Sequence, residues 1–84
     1  MNWAVAFAPG IEREALELWA VSPDPAATRA ALGEIKTRLG ADPHTAGHHL
    51  SEGLWKIAAP PLTAYYTIDT VRQSVEITDI AAAP

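Results

Sequence analysis

The sequence predicts an α+β domain of order β-α-α-β-β-β, a helical hairpin packed on a small, mainly antiparallel sheet. Three observations carry this expectation. Residues 3–7 alternate with period two, and two following segments repeat with the period of a helix and are punctuated by Pro and Gly. Residues 54–58 and 62–68 are then β-rich runs joined by Pro60-Pro61, and one more run follows at 74–80.

Trp3, Val5 and Phe7 alternate with Asn2, Ala4 and Ala6, so the β-formers share one face, and Pro9-Gly10 stops the strand near Ala8. From Ile11 the period changes. Ile11, Ala15, Leu18 and Trp19 lie on one helical face, while Glu12, Arg13, Glu14 and Glu17 point away from it. The acidic first turn suits the positive end of the helix dipole. Ser22-Pro23-Asp24-Pro25 ends this helix and opens the next, with Asp24 as N-cap and Pro25 at the first helical position, where a missing N–H costs nothing. Thr28, Leu32, Ile35 and Leu39 form the second buried stripe, and Gly40 is expected to close the helix as its C-cap. So short a link makes the two helices an antiparallel hairpin. Gly33 in mid-helix costs about 1 kcal/mol relative to alanine, which close packing or simple tolerance would explain.

Residues 41–51 read as a polar loop holding all three histidines, His44, His48 and His49. Pro60-Pro61 excludes a helix between the two runs that follow. Residues 69–73 turn the chain into the last strand, where Val75 and Ile77 point inward and Ile80 breaks the alternation, as a β-bulge would. Residues 81–84 are expected to fray. No repeat, low-complexity tract or interdomain linker is visible, and 84 residues leave room for one core, so residues 1–84 are expected to form a single domain.

Composition narrows the function classes. The absence of cysteine removes disulfides, thiolate metal sites and thiol nucleophiles together. No metal or other cofactor is expected, because the histidines come with no carboxylate or fourth ligand at a recognised spacing. No apolar run approaches the roughly 18 to 20 residues that span a bilayer, and Met1-Asn2-Trp3 lacks the basic start of a secretion signal, so a cytoplasmic chain with no membrane partner is expected. Ten acidic residues against six basic ones give a net charge of -4, which disfavours gripping nucleic acid.

A further signal lies in residues 47–69. Asp42-Pro43, Gly47 and Leu50, then Gly53-Leu54-Trp55-Lys56, then Pro61-Leu62-Thr63-Ala64-Tyr65-Tyr66-Thr67-Ile68-Asp69 follow one another in an order and spacing that resembles the sheet half of the RelE/ParE superfamily of bacterial toxins. With residues 3–7 as first strand and 75–78 in the last, the likeness covers nearly the whole chain. It implies a RelE/ParE-like fold and the toxin component of a type II toxin-antitoxin system, with the growth inhibition and plasmid stabilisation such modules bring. The resemblance leaves the target open between ribosome and mRNA, as a ribosome-dependent endoribonuclease, and DNA gyrase. A cognate antitoxin is the implied partner, with Leu16, Ala20 and Val21, off the first helix's main stripe, as candidate contacts.

For ribonuclease chemistry the resemblance points to Lys56 as phosphate stabiliser, His48 or His49 as proton carrier, and Tyr65 as a substrate contact, with Trp55 beside them to stack on a base. Plain strand chemistry offers the other account: one of Trp55 and Lys56, and one of Tyr65 and Tyr66, faces the core, and the loop histidines are solvated. Thr63 stands where the family pattern carries arginine. The last predicted strand ends near Ile80, before the basic and aromatic tail of many active members. These departures support a rival expectation, a catalytically degenerate protein-binding domain that titrates an antitoxin or assembles with itself as a homodimer. Arg29, Lys36 and Arg72 are expected to be surface charges.

Overall fold

Strand alternation sorts this chain's side chains onto two faces of one sheet, and the helices cover only one of them. The computed structural model describes residues 2–82. Its elements are β1 (Ala4–Phe7), α1 (Ile11–Val21), α2 (Pro25–Ala41), α3 (Pro43–Ala46), β2 (His48–Ser51), β3 (Leu54–Ala59), β4 (Leu62–Asp69) and β5 (Ser74–Ala82). The five strands form a single sheet of order β1-β5-β4-β3-β2, with β1 parallel to β5 and every other pair antiparallel. Among the described residues no helix is long and apolar enough to cross a membrane.

The core lies between the helices and one sheet face. Ala15 of α1 and Ala31, Ile35 and Leu39 of α2 pack with Ile57, Ala59, Leu62, Ala64, Tyr66, Val75, Ile77 and Ile80. Fully burying a side chain such as Leu39 or Ile35 contributes about 1.5–3 kcal/mol, so this interdigitated layer holds the hairpin to the sheet. Thr28 sits within the same stripe without an orphaned hydroxyl. Its Oγ1 lies 2.6 Å from Ser22 Oγ and donates to the Asp24 carbonyl at 3.2 Å, while the Asp24 carboxylate accepts from the Ala27 N–H at 3.1 Å. The connector between the helices is thus tied at both ends.

Four sequence expectations are corrected. Gly40 is not a C-cap: α2 runs through it to Ala41, because the Trp3 N–H donates to the Gly40 carbonyl at 2.8 Å and the Asp42 N–H to the Arg38 carbonyl at 3.1 Å. Residues 41–51 are not one loop, since Asp42 caps the short α3 by accepting from the His44 N–H and β2 then pairs with β3. Trp19 is not in the core but 41% exposed, because Ala15 and Leu18 take the sheet-facing side and the next residue lies about 100° further round the helix. Ala81 and Ala82 are paired with Thr63 and Leu62 on β4, so β5 continues past Ile80; Ala83 and Pro84 lie outside the described residues. The expected bulge is present where Tyr65 faces Asp79 and Tyr66 faces Ile77, leaving Thr78 as the extra residue.

Candidate functional site

The open sheet face is assembled by register. His48 on β2 pairs with Lys56 on β3, Lys56 with Tyr65 on β4, and Tyr65 with Asp79 on β5. Directly paired residues share a face, so an imidazole, an ammonium, a phenol and a carboxylate stand in one row across four strands. Thr63 and Thr67 flank Tyr65 on the same face, and Glu76 stands opposite Thr67. The bulge is what brings Asp79 into the row. Its carboxylate accepts from the Ile80 N–H at 2.8 Å, and Thr78 Oγ1 donates to the Tyr65 carbonyl at 3.4 Å.

Of the residues proposed from sequence, the fold thus brings together Lys56, His48 and Tyr65 and separates His49 from them. His49 pairs with Trp55, and the two rings meet edge to face with centroids 5.1 Å apart. Trp55 in turn stacks on Tyr66 at 6.2 Å and meets His44 at 5.8 Å, while His44 meets Trp3 at 5.5 Å. The aromatic chain Trp3–His44–Trp55–Tyr66 lies on the helix side of the sheet, so Trp55 does not stand beside Lys56 as a base-stacking platform. One residue of displacement along a strand reverses the face.

The row has one strong cation. Among the six Lys and Arg residues, Lys56 is the one that lies in a strand, and the carboxylates of Asp79 and Glu76 share its face. Stabilising a charged phosphate requires convergent positive charge, and the paired positions of this row add a carboxylate and no second Lys or Arg, while Arg72 borders a hollow with Thr67, Ser74 and Glu76 further along the sheet. Arg29 instead borders an apolar groove with Leu16, Trp19 and Leu32, and Lys36 places its ammonium 5.2 Å from the centre of the Phe7 ring.

The row is held from behind by contacts that the sequence motifs did not announce. The Tyr66 hydroxyl, fully buried, donates to the Pro43 carbonyl at 2.7 Å. Burial pushes its phenol above the usual tyrosine value, while the nearby Arg38 guanidinium and the Gly47 backbone pull the other way. Arg38 donates to the Ala46 carbonyl at 2.6 Å and to the Ala58 carbonyl at 3.3 Å, the latter on β3 beyond the end of β2. Glycine is required at 47 by close approach: a Cβ there would run into the Lys56 carbonyl and the Tyr66 hydroxyl. Arg38, Tyr66 and Gly47 together seat α3 and β2 on the sheet edge and so place His48 beside Lys56. A basic residue in the last turn of a helix, followed by a second Asp-Pro start, was the available sequence signal for this clamp.

A second surface lies on the helices. Leu16 is 60% and Val21 79% exposed, which agrees with their expected place off the main stripe, and the half-exposed Trp19 adds to them. Leu16 and Trp19 line one groove with Leu32 and Arg29, and Val21 lines another with Leu18, so α1 carries apolar side chains on both of its flanks.

No family model and no curated protein matches the sequence. Solved structures do. A chain of the toxin-antitoxin complex RelBE2 from Mycobacterium tuberculosis superposes with a TM-score of 0.80 at 19% identity, covering 98% of this chain and 92% of that one. The archaeal RelE-RelB complex from Pyrococcus horikoshii gives 0.72 at 12% identity, with 98% and 96% covered. The chromosomal ParDE system of P. aeruginosa gives 0.71 at 12% identity, with 99% and 98% covered. Spanning nearly the full length of each of these chains, the protein has a RelE/ParE-like α+β fold.

Proposed function

We propose that this chain is the toxin component of a type II toxin-antitoxin module, held in check by an antitoxin that covers the apolar surface of α1. The observation that carries the reading is the end-to-end likeness to chains of RelBE and ParDE complexes. The exposed Leu16, Trp19 and Val21 support the partner half of it, because a protein chain laid over them would remove apolar area from water.

Between the activities the resemblance offers, the open face favours inhibition of a protein target such as gyrase. Gripping mRNA draws on counterion release by clustered Lys and Arg, and on this face the one strand lysine, Lys56, is accompanied by the acidic Asp79 and Glu76. A ribosome-dependent ribonuclease is the second reading, favoured by the row that places His48 and Tyr65 on either side of Lys56. In it Lys56 would hold the phosphate, His48 would carry the proton and Tyr65 would contact the substrate.

Tightly controlled induction of the chain in a bacterial host tests the toxin reading. Growth arrest, relieved by co-expression of a partner from an adjacent reading frame, is the expected outcome. Unaffected growth in the presence of folded, soluble protein would overturn it in favour of a degenerate binding domain.

A further inference from the structure

Leu18 and Val21 of α1 and Ile80 of β5 line a groove of about 450 Å³ together with Glu14 and Glu17, and Asp79 borders it from the open edge of β5, beyond the end of β1. The groove runs on into a more apolar cleft that shares Leu18 and Val21 and reaches Pro23, Pro61 and Ala82. Its rim carries three carboxylates and no Lys or Arg. Among the described residues the ion pairs are His44–Asp42 and Arg72–Asp69, so none of these three acids is held in an ion pair. The adjoining sheet edge is also open. β1 pairs with β5 as far as Ile77, and among the described residues no strand lies against residues 78–82 on that side.

We propose that this groove docks a basic segment of a partner protein, with apolar side chains seated on Leu18, Val21 and Ile80 and Lys or Arg side chains set against Glu14, Glu17 and Asp79. The apolar floor supplies the reason to bind, and the rim decides what binds. An acidic segment would bring like charges together in a partly desolvated groove, which costs affinity and slows encounter. Nucleic acid is rejected by the same field. A second copy of this chain would bring another net charge of -4 and the same carboxylates. The inference rests on the chain being one half of a protein pair, and it specifies the other half: cationic where it crosses α1.

Two amphipathic peptides of about fifteen residues, identical in their leucines and differing only in carrying lysine or glutamate at the polar positions, test it by amide NMR titration of the full chain. The lysine peptide should move the signals of residues 14–21 and 79–80, with affinity falling as salt rises, and the glutamate peptide should move none of them. The variant Glu14→Gln/Glu17→Gln/Asp79→Asn should bind the lysine peptide about tenfold more weakly, while Asp69→Asn/Glu76→Gln, away from the groove, should bind it as the parent does. All three groove acids are exposed, so these substitutions leave the core intact. The inference is overturned if the lysine peptide fails to bind, if both peptides bind alike, if the shifts map elsewhere, or if the groove variant loses no affinity. It is overturned as well if the same signals move with protein concentration alone, which would make a second copy the occupant. Growth arrest on induction is read separately, so the charge of the partner fails or stands apart from the toxin proposal.

Discussion

Tyr65 and Tyr66 are joined by one peptide bond and meet opposite surroundings. Tyr66 is fully buried, its hydroxyl is committed to Pro43, and its ring stacks on Trp55. Tyr65 stands on the open face between Lys56 and Asp79. The two share a residue type and a strand, so the difference comes from alternation alone. The same holds for Trp55 and Lys56 on β3. One face of the sheet holds the fold together, and the other is left with polar groups that contribute little to it. Function is therefore to be sought where stability is indifferent to substitution.

That contrast can be broken by mutation. Tyr66→Ala should cost about 3–5 kcal/mol in urea unfolding, by leaving a cavity and orphaning the Pro43 carbonyl. A loss under about 1 kcal/mol would mean that the buried face is not where the stability lies. Gly47→Ala should cost about 1–3 kcal/mol, because the new methyl has to displace either the β3 backbone or the Tyr66 hydroxyl; thermal unfolding reads it. Tyr66→Phe should cost about 1–2 kcal/mol by removing one buried hydrogen bond. It should also flatten the alkaline limb of the stability curve. Burial raises the folded-state value of this phenol above its ordinary 10.0, so its contribution is fully present below that pH. Above it the unfolded chain loses its proton first, and stability falls as pH rises toward the folded-state value. Urea midpoints at neutral pH and above pH 10, compared between parent and Tyr66→Phe, check the sign. On the open face, Lys56→Ala and Tyr65→Phe should each change stability by no more than about 0.5 kcal/mol. Gly33→Ala should stabilise by a similar or slightly larger amount, up to about 1 kcal/mol, since nothing lies within 4 Å of a Cβ built there.

Much of the fold was legible because its main elements carry strong periodic signals. The alternation at 3–7 and the stripe at Thr28, Ile35 and Leu39 reappear as β1 and the buried face of α2. The bulge was visible in the broken phase at Ile80. What escaped was short or set by tertiary contacts. β2 is four residues with every side chain exposed, so no hydrophobic pattern could reveal it. α3 is a single turn, yet Asp42-Pro43 repeats the Asp24-Pro25 start of α2 and was a usable clue. Gly40 carries the usual signal of a helix end, but a hydrogen bond from Trp3 accommodates its carbonyl and the helix continues.

The candidate site divides in the same way. Alternation required one of Trp55 and Lys56 and one of Tyr65 and Tyr66 to face outward, and the register that pairs Lys56 with Tyr65 decided which two do so together. The place of His48 beside them depended on β2, and the removal of His49 to the other face depended on the same unseen strand. Asp79, the one carboxylate in the row, enters through the bulge and was not legible as part of it.

The proposal most open to test is that this RelE/ParE-like fold arrests growth without cutting RNA. The most direct test is to sequence RNA ends from cultures arrested by induction of the chain, alongside cultures expressing Lys56→Ala. The account predicts arrest in both and no new codon-positioned ends in either. New cuts at defined codon positions that vanish with Lys56→Ala would contradict it and assign the His48–Lys56–Tyr65 row as a ribonuclease site.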